Sequence, residues 1–282
     1  MLDEYFNEKN PERSELGKNS DYDPYYNPNK LFSIPRKTKR DEIGVSDGLP
    51  FFGYDIWNHY EVSWLTNRGK PIVALAKIVY SCDSPNIIES KSMKLYFNSL
   101  NNTKFESLEM VQETIRKDIE RYAEAPVSVE LKILNEIQEV EVLSGFSAIN
   151  IDNLDIECSD YMVNPHFLTT ENTLTEEKLC SDLLKSNCLV THQPDWGSVL
   201  IEYKGKKINR SGLLRYIVSF RNHNEFHEQC IERIFIDIMR YCQPQELTVY
   251  GRYTRRGGLD INPYRSTNDI EAPPNNFRLI RQ

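Results

Sequence analysis

The chain has 282 residues, of which 39% are hydrophobic and 27% charged, with 16 Tyr and 12 Phe. This composition can bury a core and is not that of a disordered protein, and the length predicts one large domain or two modest ones. The net charge is -8 and the pI about 5.3. A phosphate backbone requires the opposite sign, so nucleic acid is not expected as a direct partner.

The sequence also indicates where the protein works. No window approaches the roughly 18 apolar residues that a membrane span needs. The first 20 residues, MLDEYFNEKNPERSELGKNS, contain no apolar signal core and no cleavage pattern. The six cysteines form no CxxC pair and are expected to be free thiols. The sequence therefore predicts a cytoplasmic protein that does not contact a membrane.

The first half of the chain predicts an arm followed by a first module. Residues 1–45 are polar and rich in Tyr, Asn, Pro and Lys, which indicates an irregular N-terminal arm. The first module is assigned to residues 46–141. It begins with strand-like runs at 59–65 and 72–80 around a turn at 66–69, which predict a hairpin.

An amphipathic helix follows in this module. Its apolar face is formed by Leu108, Val111, Ile115, Ile119 and Tyr122. Pro126 is expected to end the helix, and strand-like alternation resumes over residues 127–134.

The second half repeats this plan after a connection. Residues 142–165, rich in Asp and Asn, are predicted to connect the modules, and residues 166–282 to form the second module. A strand at 199–203 and a Lys204-Gly205-Lys206 turn predict the start of another hairpin. A helix follows that carries Phe226, Cys230, Ile234 and Ile238 inward and ends at Pro244, and a strand follows at 247–253.

The two halves are related by an internal duplication. The segments NTKF, ending at Phe105, and HNEF, ending at Phe226, occupy equivalent points, so the repeat distance is about 121 residues. Hairpins with amphipathic helices packed on one face indicate an α+β architecture.

Residues 186–198, SNCLVTHQPDWGS, place Cys188 seven residues before Asp195. A thiolate attacks electrophilic carbon, and a neighbouring acid can protonate the atom on which charge develops. Two other interpretations remain open on spacing alone. An isolated cysteine is often a buried small apolar residue, and an Asp after Pro is often a turn residue.

Four segments together carry a family resemblance. They are residues 88–96, the Cys188/Asp195 segment, His227-Glu228, and residues 253–258, YTRRGG. The segment ESKSMKLY, residues 89–96, matches every position of a signature that reads Glu, Ser or Leu, Lys, Ser or Ala, a hydrophobic residue, Lys, Leu or Tyr, and an aromatic residue. In these segments the chain resembles the NADPH-dependent 7-cyano-7-deazaguanine reductases, the nitrile reductases of queuosine biosynthesis. The resemblance covers nearly the whole chain and matches the long, two-module form of the family.

The resemblance implies the tunnelling fold, also called the T-fold. Each of two tandem modules would be an antiparallel four-stranded sheet with two antiparallel helices on one face. Modules of this fold associate so that sites form between them, and a homodimer is therefore expected.

The resemblance also implies a reaction. A nitrile is converted to a primary amine with two NADPH, through a thioimide on Cys188, while Asp195 supplies a proton. A carboxylate would grip the guanine-like edge of the deazapurine, because that edge presents two adjacent N–H donors. The residues implied for substrate binding are Glu228 with His227 in the second module, and Ile88, Glu89 and Ser90 in the first.

The cofactor site is implied only by the resemblance. There is no GxGxxG after a strand, so a Rossmann site is not supported. The resemblance places NADPH against Ser90 and Lys91 of one module and Arg256 and Gly257 of the other. The cationic side chains could meet the phosphate that distinguishes NADPH from NADH. Without the resemblance, the turn would be interpreted as a solvated basic loop.

Two alternatives stay open at this point. Cys188-x-x-x-His192 and His223-x-x-x-His227 could bind zinc, as in the related GTP cyclohydrolases, although no metal is expected because the first half has no matching ligands. The other alternative is a purine-binding module without catalysis, which would not need Cys188 or Asp195.

Overall fold

The structure is a computed structural model that describes residues 22–46, 48–139 and 141–282. Contacts divide these residues into two compact units. Unit 1 contains residues 22–38, 56–139 and 255–260, and unit 2 contains residues 39–55, 141–254 and 261–282. The boundaries drawn from the sequence, including the arm at 1–45 and the connection at 142–165, stay a prediction, and residues 1–21 lie outside the described residues.

The described residues form twelve β-strands, five α-helices and four short 3-10 helices. The strands are β1 (Ser33–Pro35), β2 (Phe52–Leu65), β3 (Pro71–Ser81), β4 (Asn86–Ile88), β5 (Val127–Ile133), β6 (Val142–Leu143), β7 (Ile149–Asn150), β8 (Thr170–Asn187), β9 (Pro194–Ile208), β10 (Glu246–Tyr253), β11 (Leu259–Ser266) and β12 (Arg278–Leu279). The α-helices are α1 (Lys37–Glu42), α2 (Ser90–Leu100), α3 (Leu108–Ala123), α4 (Arg210–Ser219) and α5 (His227–Cys242). Among these helices, none has the length and apolar character needed to cross a membrane.

Unit 1 contains the predicted hairpin and the predicted amphipathic helix. Strands β2 and β3 are neighbours, and β3 pairs antiparallel with β5. The turn between β2 and β3 needs Gly69, whose φ of 80° lies in the left-handed region. The buried residues of α3 are Val111, Ile115, Ile119 and Ala123, one in each turn. The helix and strand expected on either side of Pro126 are thereby confirmed.

Unit 2 repeats the order strand, strand, helix, helix, strand. Strands β8 and β9 form a long antiparallel hairpin, and β9 pairs antiparallel with β10. Helices α4 and α5 lie between β9 and β10 in the chain. In unit 1 the corresponding helices are α2 and α3, which lie between β3 and β5 in the chain. The α+β architecture with antiparallel strands is confirmed.

The turn expected at Lys204-Gly205-Lys206 is wrong. Strand β9 runs through these residues without interruption, and Gly205 pairs with Thr175 of β8. A Cβ on Gly205 would lie 2.9 Å from Cα of Pro244. The glycine is therefore needed for a close backbone approach in a strand and not for a turn.

Matching hydrogen bonds support the duplication inside the helix pairs. In unit 1 the hydroxyl of Tyr96 on α2 donates to Oδ2 of Asp118 on α3, at 2.7 Å. In unit 2 the hydroxyl of Tyr216 on α4 donates to Oδ2 of Asp237 on α5, also at 2.7 Å. Each helix pair is thus joined by the same phenol–carboxylate contact.

The duplication extends into the segments predicted to be an arm and a connection. Asn27 Nδ2 donates to Asp23 Oδ2 at 3.0 Å, and Asn164 Nδ2 donates to Asp160 Oδ2 at 2.9 Å. Each asparagine caps a short 3-10 helix that starts with proline. An Asp-x-x-x-Asn-Pro element therefore precedes the β2–β3 hairpin in the first half and the β8–β9 hairpin in the second, a repeat that sequence reasoning missed.

Candidate active site

Cys188 and Asp195 lie close in the β8–β9 hairpin of unit 2. Ser186 of β8 pairs with Asp195 of β9, and the hairpin loop is closed by a bond from Cys188 N to Gln193 O at 2.8 Å. Burial alternates through Leu184, Ser186 and Cys188, so these side chains share one face. Cys188 is 1% exposed and Asp195 5% exposed. The thiol and the acid are therefore both at the buried end of one hairpin.

The segment before α5 is attached to the end of β8. Asn187 N donates to His223 O at 2.8 Å, and Glu225 N donates to Asn187 O at 3.0 Å. This short parallel bridge fixes the start of α5 relative to the hairpin that holds Cys188. The first two residues of the helix, His227 and Glu228, are consequently held near that end of the hairpin.

His227 makes direct contact with the predicted acid. Its Nε2 lies 3.3 Å from Oδ2 of Asp195, and both side chains are buried. The imidazole also stacks on the ring of Tyr253, with centroids 4.0 Å apart and planes 21° apart. Glu228, the second residue of α5, is 2% exposed. The start of a helix favours a negative charge there.

Behind these residues, two groups are kept neutral by burial. Burial raises the pKa of Tyr253 well above its usual value. Burial, with the charge of Glu225 nearby, raises the pKa of the Cys230 thiol to about 12. The phenol and this second thiol therefore stay protonated at neutral pH, so Cys230 is not expected to act as a nucleophile.

The histidines that the sequence offered as zinc ligands, His192 and His223, make other contacts or are exposed. His223 Nε2 lies 2.9 Å from Glu225 Oε2, and Arg233 pairs with the same carboxylate at 2.9 Å. Burial acts to raise the pKa of Glu225, but these two hydrogen bonds outweigh it and hold the pKa below its usual value. His192 is exposed in the hairpin loop. Within the described ranges, no group of three or more His, Cys, Asp or Glu could hold a metal ion.

In unit 1, Glu89 is the N-cap of α2. Its Oε1 accepts from Lys91 N and its Oε2 from Ser92 N, both at 2.7 Å. The side chain is fully buried, and burial raises its pKa although the two N–H bonds and Arg256 act in the opposite direction. Ile88, the last residue of β4, is buried beside it. A carboxylate has further lone pairs, so capping leaves it able to accept from a ligand.

The Arg256–Gly257 segment of unit 1 is a tight turn close to Ser90. Arg256 N donates to Leu259 O at 2.8 Å, and Leu259 N donates to Arg256 O at 3.2 Å. Gly257 and Gly258 have φ of 62° and 79°, as the two central residues of a type I′ turn require. Arg256 Nη2 lies 3.5 Å from Ser90 Oγ. The structure thus brings together the two segments that the resemblance assigned to the cofactor.

Strand β2 fixes this turn through residues that sequence reasoning missed. His59 Nδ1 lies 2.8 Å from Gly258 O, which also accepts from Tyr60 N at 2.9 Å. The guanidinium of Arg255 lies 3.9 Å from the centroid of the Tyr60 ring. Burial lowers the pKa of His59 to about 4, so the imidazole is neutral. The only sequence signal was a polar run, NHYE at 58–61, inside a strand.

The turn has the chemistry that a phosphate-bearing cofactor needs. Lys94 lies against Gly257, Arg255 stacks on Tyr60 and Arg256 reaches Ser90, while the carboxylate of Glu61 lies against Gly258. Lys91 and Arg256 both act on the charge of Glu89. A Cβ on Gly257 would lie 3.0 Å from Cδ of Lys94, so the glycine lets the Lys94 side chain lie directly against the turn. Arginine and lysine bind phosphate oxygens by charge-assisted hydrogen bonds. The residues of unit 1 therefore fit a dinucleotide phosphate.

The candidate residues fall into two groups, one in each unit. Unit 1 holds Ile88, Glu89, Ser90, Lys91, Arg256 and Gly257. Unit 2 holds Cys188, Asp195, His227 and Glu228. Tyr253 lies in one of the segments that carry the resemblance, but no sequence pattern assigned it a role.

Comparison with known families identifies both halves of the chain. Residues 22–131 match the family described as "Nitrile reductase, 7-cyano-7-deazaguanine-reductase N-term". Residues 194–272 match the family described as "QueF-like protein". The first match contains Glu89 and the second contains Asp195, His227, Glu228 and Arg256.

Full-length relatives give the same result. A protein of Legionella pneumophila (strain Lens) named NADPH-dependent 7-cyano-7-deazaguanine reductase is 62% identical over 271 residues, or 96% of this chain and 95% of its own. A protein of the same name from Polaromonas sp. (strain JS666 / ATCC BAA-500) is 54% identical over 275 residues, or 96% and 99%. Among solved structures, an archaeosine synthase QueF-Like in the apo form aligns at 15% identity and a TM-score of 0.31, covering 36% of this chain and 98% of its own, which is too weak to bear on the fold.

Proposed function

Because this chain belongs to the family of NADPH-dependent 7-cyano-7-deazaguanine reductases, we propose that it reduces the nitrile of 7-cyano-7-deazaguanine to a primary amine. The product is 7-aminomethyl-7-deazaguanine, two NADPH are consumed, and the reaction belongs to queuosine biosynthesis. One observation supports this proposal above the others. Cys188 and Asp195 share a buried hairpin end, and Asp195 contacts His227 at 3.3 Å beside Glu228.

Cys188 is the proposed nucleophile. Its sulfur bonds to the nitrile carbon, and the C≡N bond becomes the C=N bond of a thioimide. The S–H of Cys188 is in effect added across the nitrile, with the proton delivered to nitrogen through Asp195. After the first hydride reaches the thioimide carbon, the C–S bond breaks, the electron pair returns to the sulfur of Cys188 and an imine remains. The second hydride, with a proton at nitrogen, converts that imine to the amine.

Asp195 and His227 are the proposed proton-handling pair. The contact of His227 Nε2 with Oδ2 of Asp195 orients the carboxyl group that is proposed to deliver a proton. NADPH supplies two hydrides, and each hydride that reaches carbon requires one proton at nitrogen. A buried acid beside an imidazole can deliver those protons without admitting bulk water to the site.

Recognition of the base is assigned to the two buried glutamates. Glu228 in unit 2 and Glu89 in unit 1 each present a carboxylate to which paired N–H donors of a deazaguanine could bind. His227, Ile88 and Ser90 lie beside them in the chain. NADPH would be held in unit 1 by Ser90, Lys91, Arg256 and Gly257, where the bare glycine turn and the cationic side chains fit its phosphates.

We also propose that the protein works as a homodimer in the cytoplasm. The six cysteines are free thiols, which agrees with a reducing compartment. Family resemblance is the basis for the dimer, since T-fold modules complete their sites by pairing. Light scattering of the purified protein would measure the oligomeric state, and a monomer at working concentration would contradict this part of the proposal.

The proposed function predicts nitrile-dependent oxidation of NADPH. Adding 7-cyano-7-deazaguanine to the purified protein should consume two NADPH for each nitrile. Cys188→Ala should lower turnover at least about 1,000-fold, because the variant cannot form the covalent intermediate. Cys242→Ala is the matched control, since Cys242 is buried at the far end of α5, and it should leave turnover unchanged.

A covalent adduct gives a second measurement. Mass spectrometry of the wild-type protein with the nitrile alone should detect the adduct mass on Cys188, and Asp195→Asn should slow its formation. Turnover by Cys188→Ala would refute the covalent step. A folded wild-type protein that neither oxidises NADPH nor forms the adduct would refute the proposed reaction, and binding of the nitrile by that protein would point to a non-catalytic module.

A further inference from the structure

We propose that Tyr253 is a positioning residue for the reaction: its ring fixes the plane of His227, and through His227 the orientation of Asp195. This inference rests on the proposed function for its kinetic consequences. The imidazole of His227 lies on the face of the Tyr253 ring, at 4.0 Å and 21°, while its Nε2 lies 3.3 Å from Asp195. The same ring therefore determines the direction in which Nε2 points.

Two glycines form a slot for the Tyr253 ring. Gly197 of β9 is its cross-strand partner, and a Cβ there would lie 3.1 Å and 3.2 Å from Cδ1 and Cε1 of the ring. Gly251 of β10 precedes it by two residues on the same face, and a Cβ there would lie 3.3 Å from Cε2. One glycine thus admits each edge of the ring. A side chain at Gly197 would displace the ring, and one at Gly251 would crowd both the ring and Ile231, whose Cδ1 would lie 2.6 Å from the added Cβ.

The polar end of Tyr253 does not account for this geometry. Its buried hydroxyl makes no hydrogen bond of ordinary geometry within the described part of the chain. The groups that act on it electrostatically are the thiol of Cys230, which is a weak hydrogen-bond partner, and the carboxylates of Asp195 and Glu228. The phenol is fully buried and neutral. The ring face, which holds His227, is therefore the part of Tyr253 that affects the site.

The stack of His227 on Tyr253 lies next to Asp195, so it can affect proton transfer by that residue. Asp195 and Gly197 alternate along β9, so Asp195 is the next residue on the face that Tyr253 covers. If the stacking partner were lost, the imidazole could rotate about its side-chain bonds, and its contact with Asp195 Oδ2 would no longer be fixed. A proton donor misplaced by about 1 Å can lose about 100-fold in rate.

The kinetic test compares Tyr253→Phe with Tyr253→Leu. Phenylalanine keeps the ring, so the rate of adduct formation on Cys188 should stay within about threefold of wild type. Leucine removes the ring, and the rate should fall about 100-fold while the KM for NADPH changes little. Tyr250→Leu is the matched control, because it removes a buried tyrosine from the opposite face of the same strand and should cause a much smaller loss.

A nuclear magnetic resonance measurement tests the stack without relying on activity. The chain has five histidines, and the ring proton signal of His227 can be identified by its loss in His227→Asn. A proton above an aromatic face is shifted upfield. That shift should be present in wild type and in Tyr253→Phe, and absent in Tyr253→Leu.

Each outcome bears on the inference. The inference would be overturned if the adduct formed as slowly in Tyr253→Phe as in Tyr253→Leu. It would also be overturned if the adduct formed no more slowly in Tyr253→Leu than in Tyr250→Leu, or if the His227 signal of the wild type were not shifted upfield. If Tyr253→Leu does not fold, Gly197→Ala replaces it and should displace the ring, move the His227 signal and slow the adduct about tenfold. Absence of any adduct in wild type would instead refute the proposed function, and the His227 signal would still test the stack.

Discussion

The second helix of each unit begins in a different way, although the two helices occupy the same place in the repeat. In unit 1, α3 has an ordinary start: the side chain of Ser107 accepts from Met110 N at 3.2 Å, and Glu109 in the first turn is exposed. In unit 2, α5 starts after Phe226, which has no side-chain acceptor, and its first residues His227 and Glu228 are buried. In unit 2, the first turn of this helix therefore holds candidate site residues and has no side-chain cap.

The first helices show the reverse pattern. In unit 2, α4 is capped by Asn209, whose Oδ1 accepts from Gly212 N at 2.8 Å. In unit 1, α2 is capped by the buried carboxylate of Glu89. Each repeat therefore keeps one ordinary helix start and has one that carries a buried acid. The candidate site residues therefore lie at the first helix of the pair in unit 1 and at the second helix of the pair in unit 2.

The largest effect in this comparison is expected for Glu228→Gln. The amide has one acceptor oxygen and presents N–H donors where the substrate also presents donors, so affinity for 7-cyano-7-deazaguanine should fall about 100-fold. The binding constant should be measured by calorimetry in a Cys188→Ala background, where no adduct forms. Glu109→Gln at the start of α3 is the matched control and should leave affinity unchanged.

Similar substrate affinities of Glu228→Gln and Glu109→Gln would contradict the distinct role given to the buried helix start of unit 2. A loss of affinity in Glu109→Gln equal to that in Glu228→Gln would mean that net charge, and not the buried helix start, controls binding. Unchanged affinity in Glu228→Gln would remove Glu228 from base recognition and leave Glu89 as the remaining candidate.

A smaller effect is expected for Glu89→Gln. One of the two N–H groups at the start of α2 loses its acceptor, and substrate affinity should fall roughly tenfold as the capped segment loosens. Asn209→Ala removes the cap of α4 and should lower the free energy of unfolding by about 1 kcal/mol without changing affinity. Denaturant unfolding and calorimetry on both variants separate the two contributions. Equal affinity losses in the two variants would show that Glu89 acts only as a cap.

Much of the fold could be predicted because it depends on local patterns. The hairpin at β2 and β3 has a glycine turn, and the period of Val111, Ile115 and Ile119 defines the buried face of α3. The prediction of a turn at Lys204-Gly205-Lys206 was wrong because a glycine inside a strand can allow another backbone to come close. Here that backbone is Pro244, and no local sequence pattern reveals the contact. The Asp-x-x-x-Asn-Pro repeat was present in the sequence, and comparing the chain with itself would have found it.

The candidate site was only partly predictable for a related reason. Cys188 and Asp195 are close in the chain, and one hairpin keeps them close in space. The stack of His227 on Tyr253 joins residues from α5 and β10, and it depends on how that helix packs on those strands. Sequence spacing contains no information about such a contact. The signature motifs identified the segments, while the geometry assigned the partners.

The smallest effects are expected where the repeats still match, at the phenol–carboxylate contacts between paired helices. Tyr216→Phe leaves Asp237 without the phenol and should lower the free energy of unfolding by about 1 kcal/mol. Tyr96→Phe should cost about half as much, because Asp118 keeps a second hydrogen bond from Tyr26 at 2.8 Å. Denaturant unfolding of both variants would measure the difference, and a larger loss in Tyr96→Phe would contradict it.

The loss of unfolding free energy in Tyr216→Phe should also depend on pH. Burial raises the pKa of Asp237, and the hydrogen bond from Tyr216 acts against that increase. Without the phenol the pKa of Asp237 should rise further, so the variant's folded state holds this proton to a higher pH than the wild type does. The cost of the substitution should therefore grow as pH rises through the pKa of Asp237 and shrink below it. A cost that does not change with pH would mean that the Tyr216 hydroxyl acts by filling space and not by stabilising the ionised carboxylate.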